Sequence, residues 1–290
     1  MTSSDPALPS LVRDALLNGV PNYGVRFIAD LGFGFSYPGG PLTGRSAAAA
    51  PANNALVADV SETENGSITV LSGQTVGYAG GGIDFSALTD RGSFLNVPPS
   101  VANDIWTAYG GASQHFLVVA YVKFPVQTDW NASANAAPFF SFGTTGAGAG
   151  IPNMITVAQT GGYGFTAFRQ TAGTTLAIST QNVNSGDFGQ LAQISFWRNA
   201  AGTGLTMKTS RARTTVLGAV GADNAENFAG VTGEFGVSSN YWTTGLSGQT
   251  GAKNFRLYRV FVENLARSGR DPLTVLDADW AQVVARGAFS

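Results

Sequence analysis

Apolar and polar side chains alternate with a period of two along most of this chain, in runs of four to ten residues broken by Gly, Asn, Thr and Pro. This pattern predicts strands near Val57–Val60, Ser67–Leu71, Gly82–Phe85, Ser93–Val97, His115–Phe124, Phe139–Gly143 and Met154–Gln159. Further ones are expected near Gly164–Gln170, Thr175–Thr180, Ala192–Arg198, Leu205–Ser210, Thr214–Val220, Thr232–Val237 and Asn254–Glu263. In Gln193–Arg198, Ile194 and Phe196 belong to the core face and Trp197 to the other. In Asn254–Glu263, Phe255, Leu257, Arg259 and Phe261 oppose Arg256, Tyr258, Val260 and Val262, so the strand is apolar on both faces, as a central strand covered on both sides would be. Stretches such as QTGGY (159–163), TAGT (171–174) and AAGTG (200–204) read as hairpin connectors. About fourteen short strands with hardly any helix describe an all-β, two-sheet antiparallel jelly-roll sandwich.

A helix is read near each of the two ends. Leu8, Leu11, Val12, Ala15 and Leu16 share one helical face, closed by Asn18-Gly19. A helix of about ten residues is too short to stand alone, so its apolar face must dock on its own domain or on another chain. Tyr23–Leu31 reads as one more strand, and Ser46–Asn54 as a loop or linker. Residues 1–54 are therefore expected to be an N-terminal appendage to a sandwich of residues 55–290. As an anchor to a larger assembly, the appendage would offer Leu11, Val12 and Leu16. The other reading makes it an extra strand and cap on the sandwich. At the C-terminus a helix is expected from an N-cap at Asp277, with Asp279 in its first turn, Trp280, Val283 and Val284 on its apolar face and an end at Arg286-Gly287.

Composition agrees with an all-β domain. The 290 residues suffice for one large sandwich, 44% are hydrophobic and 11% aromatic, and 38 are glycine. Only 12% are charged, with a net charge of −2. With no basic stripe to neutralise phosphates, nucleic acid is not an expected partner. No run of apolar residues is long enough to insert in a membrane, and MTSSDPALPSLVRDALLNG has neither the basic nor the apolar region of a secretory signal. Cysteine is absent, which excludes disulfides and thiolate metal ligands.

Gly80–Ser100 reads GGGIDFSALTDRGSFLNVPPS: a glycine-started short strand, a polar loop, a second short strand and Pro-Pro-Ser. It is followed by FLVVAYVKFP (116–125) and, at the end, by KNFRLYRVFVENL (253–265) with a polar turn and a short helix. This order resembles the concanavalin A-like (laminin-G-like) lectin and glucanase domains over residues 80–290. The resemblance implies the sandwich, a surface-recognition role and no particular ligand.

Glucanases of that fold carry two glutamates and an aspartate on one strand, because retaining hydrolysis needs two carboxyl groups about 5–5.5 Å apart. Of the five glutamates here only Glu62 and Glu64 are close in sequence, in a polar turn, with no third acid. His115 has no legible nucleophile or acid partner. Nucleophile-elbow, phosphate-loop and zinc-helix motifs are absent, and TTGAGAG (144–150) precedes no helix. No catalytic residue, metal ligand or cofactor is therefore assigned. Many relatives hold calcium through loop oxygens, but Asp84, Asp90, Asp104, Asp129, Asp187 and Asp223 are scattered. Sugar recognition relies on aromatic rings with amides nearby. The candidates are Trp106 and Tyr109 in NDIWTAYGG, Trp130 and Asn131 in QTDWNASANAA, and Tyr241 and Trp242 in SSNYWTTG. Each ring could equally cap the sandwich or pack on a neighbouring subunit.

Laminin-G-like domains of secreted proteins follow a signal, whereas bacteriophage virion proteins are made in the host cytoplasm without one and often contain such modules. RFIADLGFGFSYPGGPL followed by the sandwich is similar to those proteins. The expectation is a non-enzymatic virion protein: a capsid decoration, head fibre or tail or baseplate component. Its partners would be other virion proteins, copies of itself and a host-surface glycan. The alternatives are a polysaccharide hydrolase of the same fold and a non-viral bacterial lectin.

Overall fold

A computed structural model describes residues 14–17, 24–37, 50–107, 111, 113–130, 137–143, 153–160, 163–172, 175–225, 228, 230–238, 255–287 and 289. Within them, two antiparallel sheets of eight strands pack face to face. With strands numbered in chain order, the first sheet runs β14 (Arg213–Gly218), β13 (Gly202–Lys208), β12 (Leu191–Asn199), β7 (Phe116–Lys123), β16 (Arg256–Asn264), β5 (Gly82–Asp84) and β4 (Gly77–Ala79). Its eighth strand, β1 (Val25–Asp30), also pairs with β16. The second sheet runs β11 (Thr175–Asn182), β10 (Gly164–Ala172), β9 (Asn153–Thr160), β8 (Ala137–Gly143), β15 (Thr232–Val237), β6 (Ser93–Val97), β3 (Gly66–Thr69) and β2 (Ala55–Val57). The expected jelly-roll-type sandwich is thus the observed fold.

The main core lies between the sheets and includes Phe85, Phe140, Phe165 and Phe196. A second apolar cluster lies on the far side of the first sheet and includes Val119, Tyr121, Trp197 and Phe261. The strands β7 and β16 are buried on both faces, which is why their sequences are apolar almost throughout. Strict alternation fails in β16 at one point. A bulge between Leu257 and Arg259 puts Phe255, Leu257, Val260 and Val262 in the inter-sheet core, and Tyr258 and Phe261 on the outer side. The Tyr258 ring lies over Gly82, where a Cβ would sit 2.4 Å from it.

Residues 25–30 are not separate from the sandwich. β1 is hydrogen-bonded along Val25–Asp30 to Glu263–Arg259 of β16, which corrects the expected boundary at residue 54. Ahead of it, Ala15–Leu17 form a single 3₁₀ turn. The rest of the expected N-terminal helix, with Leu11 and Val12, lies outside the described residues.

Three α-helices occur among the described residues: α1 (Pro99–Asp104), α2 (Leu265–Ser268) and α3 (Pro272–Arg286). Pro-Pro-Ser therefore opens a short helix before β7, with Val101 and Ala102 buried. The C-terminal helix starts five residues before the expected cap. Asp271 caps it, accepting the Thr274 N–H at 2.8 Å, with Pro272 in the first turn, and Gly287 closes it in the left-handed conformation. Asp279 is consequently mid-helix and buried, and Val284 points outward while Val275, Leu276 and Val283 face the sheet.

Candidate recognition surface

In-register strands line their side chains into rows that alternate between the two sides of a sheet. In the second sheet one row, Ala55–Ile68–Leu95–Phe235–Phe140–Val157–Ala167, faces the core. The next row lies on the outer side and crosses all eight strands: Leu56, Ser67, Asn96, Glu234, Ser141, Thr156, Phe168 and Ile178. Hydroxyl, amide and carboxylate groups fill its middle, and aliphatic residues end it on both edge strands.

The middle of this row is closed to solvent and internally bonded. Ser141 is 0% exposed, Thr156 1% and Glu234 4%. The Ser141 and Thr156 hydroxyls are 2.9 Å apart, and the Glu234 carboxylate accepts from the hydroxyls of Ser238 and, at 3.3 Å, Thr232. Beside it, Asn96 Nδ2 donates to Thr69 Oγ1 at 2.5 Å and to the Ser67 carbonyl at 3.3 Å. The margins are open: Ser67, Thr69, Asn96 and Phe168 are half-buried, Leu56 is 46% exposed and Ile178 60%. Glu234 is the row's one ionisable side chain. The strands flanking it place an amide (Asn96) and a hydroxyl (Ser141) opposite it rather than a second acid.

The aromatic candidates divide. Trp106 is 3% exposed, its ring 5.1 Å from Phe116 and 6.1 Å from Phe228, and Trp130 is 2% exposed, 5.4 Å from both Phe124 and Phe188. Both belong to the inter-sheet core, so neither offers a face to a sugar, which corrects their assignment. Large rings at the ends of a sandwich gain more by filling the gap between the sheets than by standing in water. For Trp106 a signal was present: Val101, Ala102, Ile105 and Trp106 keep helical spacing, and all four are buried. Tyr109, Asn131, Tyr241 and Trp242 lie outside the described residues. Leu16, expected to contact another chain, is buried in the outer cluster of its own domain.

The outer side of the first sheet is chemically opposite. One row there reads Arg213–Lys208–Gln193–Tyr121–Arg259–Asp30 across six strands. Helix α3 lies over it. Asp277 pairs with Lys208 (2.6 Å) and Arg213, the Leu276 carbonyl accepts from Gln193 (3.0 Å), and Asp279 bonds Tyr121 (2.6 Å) and Arg259 (2.8 Å). Arg286 reaches Asp30 at 2.5 Å. Burial pushes the Asp279 carboxyl up despite Arg259 and Tyr121, and pushes the Tyr121 hydroxyl well above its ordinary range. Three carboxylates around it hold Arg259 charged although it is fully buried. These acids serve docking.

Other carboxylates are also engaged. Asp84 pairs with Arg256 at 2.8 Å, Asp104 with Arg267 at 2.6 Å, and Asp223 with Arg198 at 2.7 Å, while Thr209 donates to Asp187 at 2.7 Å. The Asp59 carboxylate accepts four backbone N–H groups, those of Ile28, Ser61, Thr63 and Glu64. Glu62 and Glu64 stay in an exposed turn, and Glu64 accepts from Ser100. Among the described residues no three His, Cys, Asp or Glu side chains converge as a metal site would require, so the six aspartates considered for calcium are not brought together. No helix among them is long and apolar enough to cross a membrane. His115 sits beside Arg198 and Asp223; burial and Arg198 lower its pKa from 6.5, and Asp223 opposes them. Arg169, buried beside Arg198, is lowered to about 10 by desolvation first and Arg198 second.

No family model matches this chain, and no curated protein matches it. Among solved structures, a trans-sialidase-active mutant of Trypanosoma rangeli sialidase aligns with 85% of the chain at 10% identity and a TM-score of 0.46. The tailspike protein 2 of Escherichia coli O157:H7 bacteriophage CAB120 aligns with 62% at 14% identity and 0.40. The CBM40 module of Ruminococcus gnavus IT-sialidase, bound to α2,3-sialyllactose, aligns with 63% at 13% and 0.38. The alignments span 31%, 22% and 89% of those chains respectively. At such scores the likenesses assign no ligand, activity or partner to this chain.

Proposed function

We propose that this protein is a non-enzymatic bacteriophage virion component whose lectin-like sandwich meets carbohydrate on the host surface. The outer row of the second sheet carries the reading. At its open margins it sets the Ser67 hydroxyl and the Asn96 amide on one side and Phe168 with Ile178 on the other, and such polar groups beside apolar surface are the chemistry that a sugar, with polar hydroxyls and an apolar ring face, can match. The non-enzymatic part is supported by the setting of Glu234, whose cross-strand neighbours are Asn96 and Ser141, whereas glycoside hydrolysis uses a pair of carboxyl groups. The virion part extends the sequence resemblance, with other virion proteins and further copies of the chain as partners.

Mass spectrometry of virus particles purified from the source lysate tests the virion part. The chain is expected in the particles, at high copy number for a capsid decoration and low copy number for a tail or baseplate component. Its absence from particles while it is abundant in the lysate would favour the bacterial-lectin alternative.

A further inference from the structure

The two flanks of the sandwich are built differently. At one flank the sheets end in β4 and β2, three residues each. There the chain after β2 ties the sheets together: Ala58 and Val60 donate to the Ser36 and Ile28 carbonyls, both at 2.8 Å. The other flank is formed by β11 of the second sheet, eight residues long, and β14 of the first, six residues long. They lie side by side, with Gln181 donating to the Thr214 hydroxyl. Each pairs with one neighbour, β10 and β13 respectively, so among the described residues its second edge has no strand beside it.

We propose that this flank is a twofold interface with a second copy of the chain, in which β11 pairs antiparallel with its own counterpart. The inference goes beyond the recognition reading and holds whether or not sugar is bound. Three observations support it.

The first is exposed apolar surface. Ile178 of β11 is 60% exposed and Leu217 of β14 70%, the two highest values of any large apolar side chain among the described residues. Ile178 ends the outer row of the second sheet. Leu217 pairs with Gly204 and, through it, stands in line with Trp197 on the outer side of the first sheet. Helix α3 and the turn at Asp14, which pairs with Arg259 at 2.8 Å, cover the middle of that side, and Leu217 lies beyond them. The two side chains thus mark the two outer corners of one flank.

The second is the strand itself. A free strand edge invites pairing, and proteins blunt it with charges, proline or very short strands. The three-residue strands β4 and β2 have the last of these protections. By contrast β11, which reads TLAISTQN, has no charged residue and no proline. Third, that strand is self-complementary. Near a twofold axis a side chain meets its own copy, so a charge there would be repelled. Paired about Ile178, β11 sets Ile178 against Ile178 and Ala177 against Ser179, and every residue keeps to its own face. The Phe168–Ile178 end of one outer row then continues into that of the other copy. The flank is about 27 Å long and roughly 20 Å deep, on the order of 500 Å² per copy, which meets the total of about 1,000 Å² that a specific interface needs.

Sedimentation equilibrium of the full chain at micromolar concentration tests this, wild type against Ile178→Lys and Leu217→Lys. Both positions are exposed, so the variants should keep the wild-type circular dichroism and unfolding midpoint. They lie on different strands, so each tests the flank independently. The wild type should have twice the chain mass, and each variant a dimer dissociation constant at least about tenfold higher. Val284→Lys, exposed on the outward side of α3, should stay dimeric. A monomeric wild type would overturn the proposal, including one that pairs through β11 with a different protein. So would a dimer left intact by either flank variant, or one that Val284→Lys disrupts to the same extent.

Discussion

His115 is the sole histidine, so its titration can be followed without overlap by proton NMR. Burial and the Arg198 guanidinium favour the neutral ring and Asp223 opposes them, with the net result below 6.5. The folded chain thus binds this proton less readily than the unfolded chain. Its contribution to stability is complete above about pH 6.5 and declines as pH falls below that value. Asp223→Asn should lower the His115 midpoint further, and an upward shift would contradict the account. A second prediction concerns Trp130. As a ring enclosed by Phe124, Phe139 and Phe188, it should cost about 3–5 kcal/mol of stability on change to Ala, read from urea unfolding. An exposed sugar-stacking ring would instead leave stability nearly unchanged. Such roles were hard to see in advance because sequence shows a tryptophan beside Asn and Ser but not the gap between two sheets that it fills. Glu234 was equally hidden: its place in an eight-strand row depends on the pairing of strands distant along the chain.

Among the elements, β7 and β16 were legible because a strand covered on both sides must be apolar on both, a property local to its own residues. The bulge at Tyr258 was not legible, since Gly82, which makes room for the ring, is 176 residues away in the chain. Helix α3 was placed late because its start was assigned to Asp277, whereas Asp271-Pro272 carries the stronger pairing of a cap with a first-turn proline. Asp271→Ala should therefore destabilise the protein by about 1 kcal/mol, measured by denaturant unfolding, through the loss of the Thr274 N–H acceptor. Asp277 has a different part. Burial would raise its pKa, but Lys208 and Arg213 hold it below the ordinary carboxylate value, so its contribution is present above that value and lost as pH falls through the lowered one. Because the Asp277 side chain is about half exposed, this contribution should be small and should shrink in salt.

At the scale of the molecule, the two outer faces differ in chemistry. The charged row of the first sheet is covered by α3 and the Asp14 turn, which consume its charges in docking. The row of the second sheet contains one acid, with neutral polar groups beside it and apolar side chains toward its ends, and its margins reach solvent at Asn96, Phe168 and Ile178. The central claim is that this second face recognises sugar without cleaving it. Titration calorimetry of the full chain against host-surface oligosaccharides, with assay of the same samples for released sugar, tests it most directly. The account predicts saturable binding that weakens about tenfold or more in Phe168→Ala and Asn96→Ala, variants that remain folded, with no released sugar. Binding unaffected by both substitutions, or turnover abolished by Glu234→Gln, would contradict it.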